Sequence, residues 1–188
     1  MPKIFSDDDR ELLRNKMLEA GIEMLQNKRY KSISVEDIAL EVGVAKGTFY
    51  NFFRSKEAFF YEIMQYIKEL NREPLRSLPE NADEKQIAEC LFEKYMNTKT
   101  VYDYFTPEEM KQIVRRLPDG DSKNDSEAFA AELCHHLNVC KGKPEVIVAM
   151  CNIMGLAGAN RNIMKPEGFE GAVRKYCRTI AEYIVKGE

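Results

Sequence analysis

The sequence predicts an all-α protein: an N-terminal three-helix domain with a helix-turn-helix, followed by a larger helical domain. Three observations point there. Apolar residues recur at helical spacing along most of the chain, and strand-like alternation is scarce. Proline is absent between Pro2 and Pro74, then returns at 79, 107, 118, 144 and 166, which reads as punctuation between helices. Two short helical segments flank Gly43. With 188 residues, 44% hydrophobic and 31% charged, the chain is long enough to bury a full core without disulfide or metal staples.

The first helix should begin near Ser6 or Asp7, where three aspartates complement the positive end of the helix dipole. Leu13, Met17, Ala20, Gly21, Met24 and Leu25 then form its apolar stripe, and it should end near Asn27, before the basic turn NKRYKS. SVED opens a second helix with a capping box, Ser34 to Asp37. Val35, Ile38, Ala39 and Val42 share one face, Gly43 ends the helix in the left-handed conformation, and Val44 fills the turn. A third short helix is expected over 45–51. A fourth starts after Ser55, a good N-cap, and runs through Phe59, Ile63, Ile67 and Leu70. Pro74 and Pro79 mark a boundary, giving a domain over 1–54, a linking helix over 55–72 and a second domain over 73–188. Further helices are expected near 82–97, 107–117, 124–139, 144–163 and 167–186.

The whole chain carries a net charge of −3, so any nucleic-acid site must be local. A local excess exists. Between Gln26 and Lys56 stand six basic residues (Lys28, Arg29, Lys31, Lys46, Arg54, Lys56) against three acidic ones. Two short helices joined by a glycine turn make a helix-turn-helix, whose second helix lies in the DNA major groove. In GVAKGTFYNFF, Val44, Phe49 and one of Phe52 or Phe53 can pack inward. Lys46, Gly47, Thr48, Tyr50 and Asn51 then face outward. Lysine and threonine reach bases or phosphates, asparagine pairs with adenine, and the tyrosine hydroxyl donates to phosphate oxygen. Gly47 lets a phosphate approach the backbone. Ser34 and Lys56 sit at helix N-termini, where anions are favoured.

The stretch ISVEDIALEVGVAKGTFYNFFRSKEAFF, residues 33–60, resembles the N-terminal domain of the TetR family of bacterial transcriptional regulators. The shared pattern is Ile33-Ser34, Ile38-Ala39, Gly43-Val44, Gly47-Thr48-Phe49-Tyr50, Phe52-Phe53 and Ser55-Lys56-Glu57. The resemblance covers roughly residues 7–60. It implies an all-α homodimer with its N-terminal helices on a palindromic operator in double-stranded DNA, and a variable C-terminal domain for a small-molecule effector. Ala45 and Asn51 depart from the family's common serine and His, Arg or Tyr, which affects operator preference rather than fold.

Past Phe60 the resemblance fades. Residues 144–164 are apolar on more than one face, with small residues at Cys151, Gly155 and Gly158. With Tyr176 and Ile180 of the last helix they are the expected dimer interface. Tyr95, Met96, Tyr104, Phe105 and Met110 are the expected effector-pocket residues, because methionine and tyrosine line adaptable cavities. The five cysteines form no Cys-x-x-Cys pair and predict reduced thiols in a cytoplasmic protein. MPKIFSDDDR is acidic where a signal peptide would be apolar, and no apolar run approaches the roughly 18 residues of a membrane span. Cys134, His135, His136 and Cys140 can ligate metal but lack paired spacing, so no metal and no cofactor are expected. No catalytic constellation stands out. The sequence therefore reads as a DNA-binding repressor released by a ligand, not an enzyme. The rival is a helical small-molecule-binding or enzymatic protein with a vestigial helix-turn-helix.

Overall fold

The structure, a computed structural model, describes residues 7–117 and 125–188. Among them are ten α-helices, two 3-10 turns and no strand. The helices are α1 (Asp7–Asn27), α2 (Val35–Glu41), α3 (Lys46–Phe49), α4 (Lys56–Arg76), α5 (Glu84–Asn97), α6 (Val101–Tyr104), α7 (Pro107–Arg115), α8 (Ser126–His136), α9 (Pro144–Ala159) and α10 (Pro166–Lys186). The expected helix starts at Ser6 and at residue 124 lie outside the described residues.

Proline punctuates as expected in three places. Pro107, Pro144 and Pro166 each open a helix, where the missing N–H is one that would find no partner anyway. Pro74 does not. α4 runs through it to Arg76, beyond the expected end at 72. Proline removes the donor for the Leu70 carbonyl, and Leu70 is exposed, on the side of the helix where a lost bond costs least. The short α6 was not expected, and α9 stops at Ala159 before a 3-10 turn at Arg161–Ile163.

The chain forms two compact units, and their division differs from the expected one. The first takes Met1–Tyr66 with Tyr104–Asp121, and the second takes Ile67–Asp103 with Ser122–Glu188. The first unit is built on aromatic rings. Phe59 meets Phe49, Phe53 and Phe60 edge-on, with centroids 5.3, 4.9 and 5.1 Å away. α1 crosses α4 at Gly21, where an added Cβ would stand 2.5 Å from Ile63 Cδ1 and 2.6 Å from Phe59 Cζ. Tyr30, in the basic turn, is buried and donates its hydroxyl to Gln112 Oε1 at 3.3 Å. In the second unit α10 packs chiefly on α5, and α8 on α9. Leu91, Cys177 and Ile180 are among the residues at the centre of its core.

The Ser34 cap forms as its residues dictate. The Asp37 N–H donates to Ser34 Oγ at 3.1 Å, and Asp37 Oδ2 accepts from the Ser34 N–H at 2.8 Å. That backbone bond and the Ser34 hydroxyl hold the Asp37 carboxyl below its ordinary range. The cap's contribution is thus present at neutral pH and is lost as pH falls through the lowered value. Ser34→Ala should cost about 1 kcal/mol, read as an earlier denaturant midpoint with an unchanged slope.

Candidate nucleic-acid interface

α2, the turn and α3 position the expected DNA-facing residues. Gly43 adopts φ +71°, which L side chains rarely take, and so stops α2 and redirects the chain. Phe49 and Phe53 are fully buried, while Phe52 is half-buried under the Arg10 guanidinium, 5.2 Å from its ring centroid. Burial of Phe49 settles which face of α3 turns outward. Lys46, Gly47, Tyr50 and Asn51 are exposed, and Thr48 is half-exposed. α3 ends at Phe49 rather than at the expected 51, so Tyr50 and Asn51 stand just past its C-terminus. An added Cβ at Gly47 would meet nothing within 4 Å, so the backbone there is open to an approaching phosphate. The Tyr50 ring is 48% exposed and held edge-on by Phe49 at 5.4 Å, leaving its hydroxyl as a supported donor.

The charged groups are partly engaged. Lys46 pairs with Glu36, and the hydrogen bond raises the lysine's pKa and lowers the glutamate's. Both are well exposed, so the pair is weak and a phosphate can take the amine. Lys56 donates to the Lys31 carbonyl at 3.2 Å and lies over the Tyr30 and Phe60 rings at 5.5 and 5.8 Å. Burial draws its pKa down. The Ser34 hydroxyl both accepts from and donates to Asp37, so its role is to order the α2 N-terminus rather than to reach DNA unaided. Lys31 is exposed beside Lys56 and was not among the expected contacts. The local basic excess was the signal that pointed to it.

The expected effector residues are divided between the two units. Tyr104, Phe105 and Met110 belong to the first unit, Tyr95 and Met96 to the second. Phe105 is a core residue, with its ring 6.2 Å from Phe60 and 6.5 Å from Tyr30. Tyr95 is buried and donates to the Cys151 carbonyl at 3.0 Å. The second unit does hold a cavity of about 540 Å³, lined by other residues, among them Arg76, Glu80, Phe129, Glu132, His135 and His136. Charged and histidine side chains scattered over three segments carry no periodic signal, so sequence reasoning missed them.

Three expected dimer contacts also prove internal. Ile180 is wholly buried in the protomer's own core. Gly155 faces Tyr102, whose ring would lie 2.7 Å from an added Cβ. Gly158 is buried on the same helix, and only Cys151 and Tyr176 are half-exposed. The reduced-thiol expectation is corrected at one place: Cys134 and Cys140 are paired in a disulfide. α8 stops at His136, so Cys140 is not on the helix and the chain brings it back to Cys134. Among the described residues no group of three His, Cys, Asp or Glu is placed to hold a metal ion, and no helix is long and apolar enough to cross a membrane.

Residues 17–63 match the family model described as bacterial regulatory proteins, tetR family. The match spans α2, the glycine turn, α3 and their supporting helices. In these residues the chain carries the DNA-binding domain of the TetR family. It is similar to the uncharacterized HTH-type transcriptional regulator YwcC of Bacillus subtilis, 31% identical over 99 residues, which cover 47% of this chain and 44% of that one. It is also similar to the HTH-type transcriptional repressor DhaR of a Mycobacterium species, 36% identical over 64 residues, covering 34% and 32% of the two chains. These matches span less than half the length of the curated relatives. A solved structure of a putative TetR-family regulator from Vibrio parahaemolyticus shares the fold, with a TM-score of 0.58 at 18% identity over 88% of this chain and 96% of that one.

Proposed function

We propose that this chain is a sequence-specific DNA-binding transcriptional regulator of the TetR family that acts in the cytoplasm as a homodimeric repressor. A small molecule bound in the second unit releases it from a palindromic operator. The observation that carries this reading is the outer face of α3. Lys46, Gly47 and Thr48 on α3, with Tyr50 and Asn51 just past its end, stand outward, while Phe49 and Phe53 are buried behind them. Lys46, Tyr50, Lys56 and Lys31 hold phosphates, and Thr48 and Asn51 read base edges.

Dimerisation is supported by apolar side chains that α9 and the turn after it leave uncovered: Ile153, Leu156, Ile163 and Met164 are exposed. Cys151 and Tyr176, both half-exposed, are the further contacts of this reading. The two-fold symmetry of a dimer matches two half-sites one helical turn apart. A ligand releases the protein by binding better to a state in which the recognition helices are wrongly spaced, and the cavity of the second unit is of a size to hold one.

The test is binding of the purified protein to its own upstream DNA against a scrambled duplex over a salt series. Selective binding whose log affinity falls linearly with log salt is expected. Equal affinity for both duplexes would count against the reading. Within that assay Tyr50→Phe should weaken binding roughly tenfold on every sequence alike, because it removes a hydrogen bond to a charged phosphate oxygen. A change in sequence preference alone would place Tyr50 at a base.

A further inference from the structure

Cys134 lies in the last turn of α8, and Cys140 in the segment leading to α9. Their Cα atoms are 5.0 Å apart, inside the range a disulfide spans. Both sulfurs also lie 3.8 Å from the Gly142 carbonyl oxygen. As thiols, each can donate its S–H to that oxygen. As a disulfide, neither has a proton to donate, so the carbonyl loses both donors. Gly142 is itself tied to the end of α10. Its N–H donates to the Ile184 carbonyl at 3.2 Å, beside Lys141 N–H at 2.7 Å, and an added Cβ would stand 2.9 Å from the Tyr183 carbonyl oxygen.

The chain between the two cysteines is a wall of the cavity. His135, His136 and Asn138 all line it. His136 Nε2 lies 2.7 Å from the Leu78 carbonyl, which can only accept, so this nitrogen carries the proton. The Asn138 N–H donates to the Glu80 carbonyl at 2.9 Å. Two of the three remaining cysteines are poor rivals for oxidation. Cys177 is fully buried with its thiol pushed up to about 12, and burial raises Cys90 as well.

We propose that Cys134 and Cys140 are a reversible dithiol–disulfide pair, closed by a peroxide, that sets the rigidity of the cavity wall between them. One thiolate attacks the peroxide oxygen, giving a sulfenic acid and, after protonation, one water. The second thiol then attacks that sulfur and displaces the hydroxyl as a second water. Two thiols and one hydrogen peroxide become one disulfide and two waters, with the peroxide bond reduced and each sulfur oxidised by one electron. A dithiol reductant reopens the pair by exchange.

Both cysteines fall on one tryptic fragment, 124–141, so the test is direct. The fully reduced protein is treated with one equivalent of hydrogen peroxide, then denatured and alkylated with iodoacetamide. Of five alkylatable thiols three should remain, with fragment 124–141 unalkylated and lighter by two hydrogens. Dithiothreitol added to the folded protein should restore all five. Cys134→Ser or Cys140→Ser should abolish the response, and Cys151→Ser should leave it intact. Hydrogen exchange at the Asn138, Lys141 and Gly142 amides should slow roughly tenfold in the oxidised form, as expected for stabilised local structure. Three results would overturn the proposal: full alkylation of fragment 124–141 after peroxide, a link that dithiothreitol does not open, or identical exchange rates in the two forms.

Discussion

Lys46→Glu should abolish operator binding while leaving the protein folded. Each protomer loses a phosphate contact worth about 1.5–3 kcal/mol and gains a repelled charge, so a dimer should lose about 10³-fold or more in affinity. The salt slope should fall by about one per lost contact. Stability should scarcely move. The Lys46–Glu36 pair is well exposed and adds little, and a glutamate in the first turn of α3 complements the helix dipole. Fluorescence anisotropy on operator DNA, with a thermal melt of the same sample, separates the two effects. Glu36→Gln is the converse. It frees the Lys46 amine from its competitor and should tighten binding by roughly twofold to fivefold. If Lys46→Glu binds as well as the unaltered protein, α3 does not face the DNA.

That expectation rests on the part of the chain that was most legible. Residues 33–60 signal locally: Ser34 and Asp37 specify a cap from four consecutive residues, and Gly43 specifies its own left-handed conformation. Such features depend on neighbours in sequence, so they can be read without the fold. The choice of Phe53 over Phe52 for the core was not legible, since consecutive aromatics are equally apolar and only the packing of Phe59 decides between them.

Farther along the chain the failures share one cause. Helical spacing shows which residues share a face, but not which neighbour that face meets. Gly155 was read as a place where another helix comes close. A close neighbour exists, yet it is Tyr102 of the same protomer. Ile180 lies on the apolar face of α10, but that face is filled by the protomer's own core. Tyr104 and Phe105 look like pocket residues by composition and instead belong to the first unit, where Phe105 packs on Phe60. Cys140 was judged on helical spacing from Cys134, although the helix had already ended.

Phe59→Ala should have the opposite signature to the lysine variant, losing binding because it loses the fold. Phe59 is fully buried and holds three rings edge-on: Phe49 from α3, Phe53 after it and Phe60 beside it. Removing it deletes a large side chain from a close-packed site and should cost about 3–5 kcal/mol. Marginal domains hold roughly 5–15 kcal/mol in all, so this is a large share of the total. The loss falls where it matters for function, because Phe49 and Phe53 are the residues that turn the face of α3 outward, and both lean on Phe59. The core of the second unit, around Leu91, Cys177 and Ile180, contains no atom of Phe59. Hydrogen exchange should therefore show protection falling in α1 and α2 while α10 keeps its own. Denaturant unfolding checks the magnitude. A loss below about 1 kcal/mol would mean that the aromatic cluster does not hold α3, and that the outward face of Lys46 and Tyr50 is set by something other than these rings.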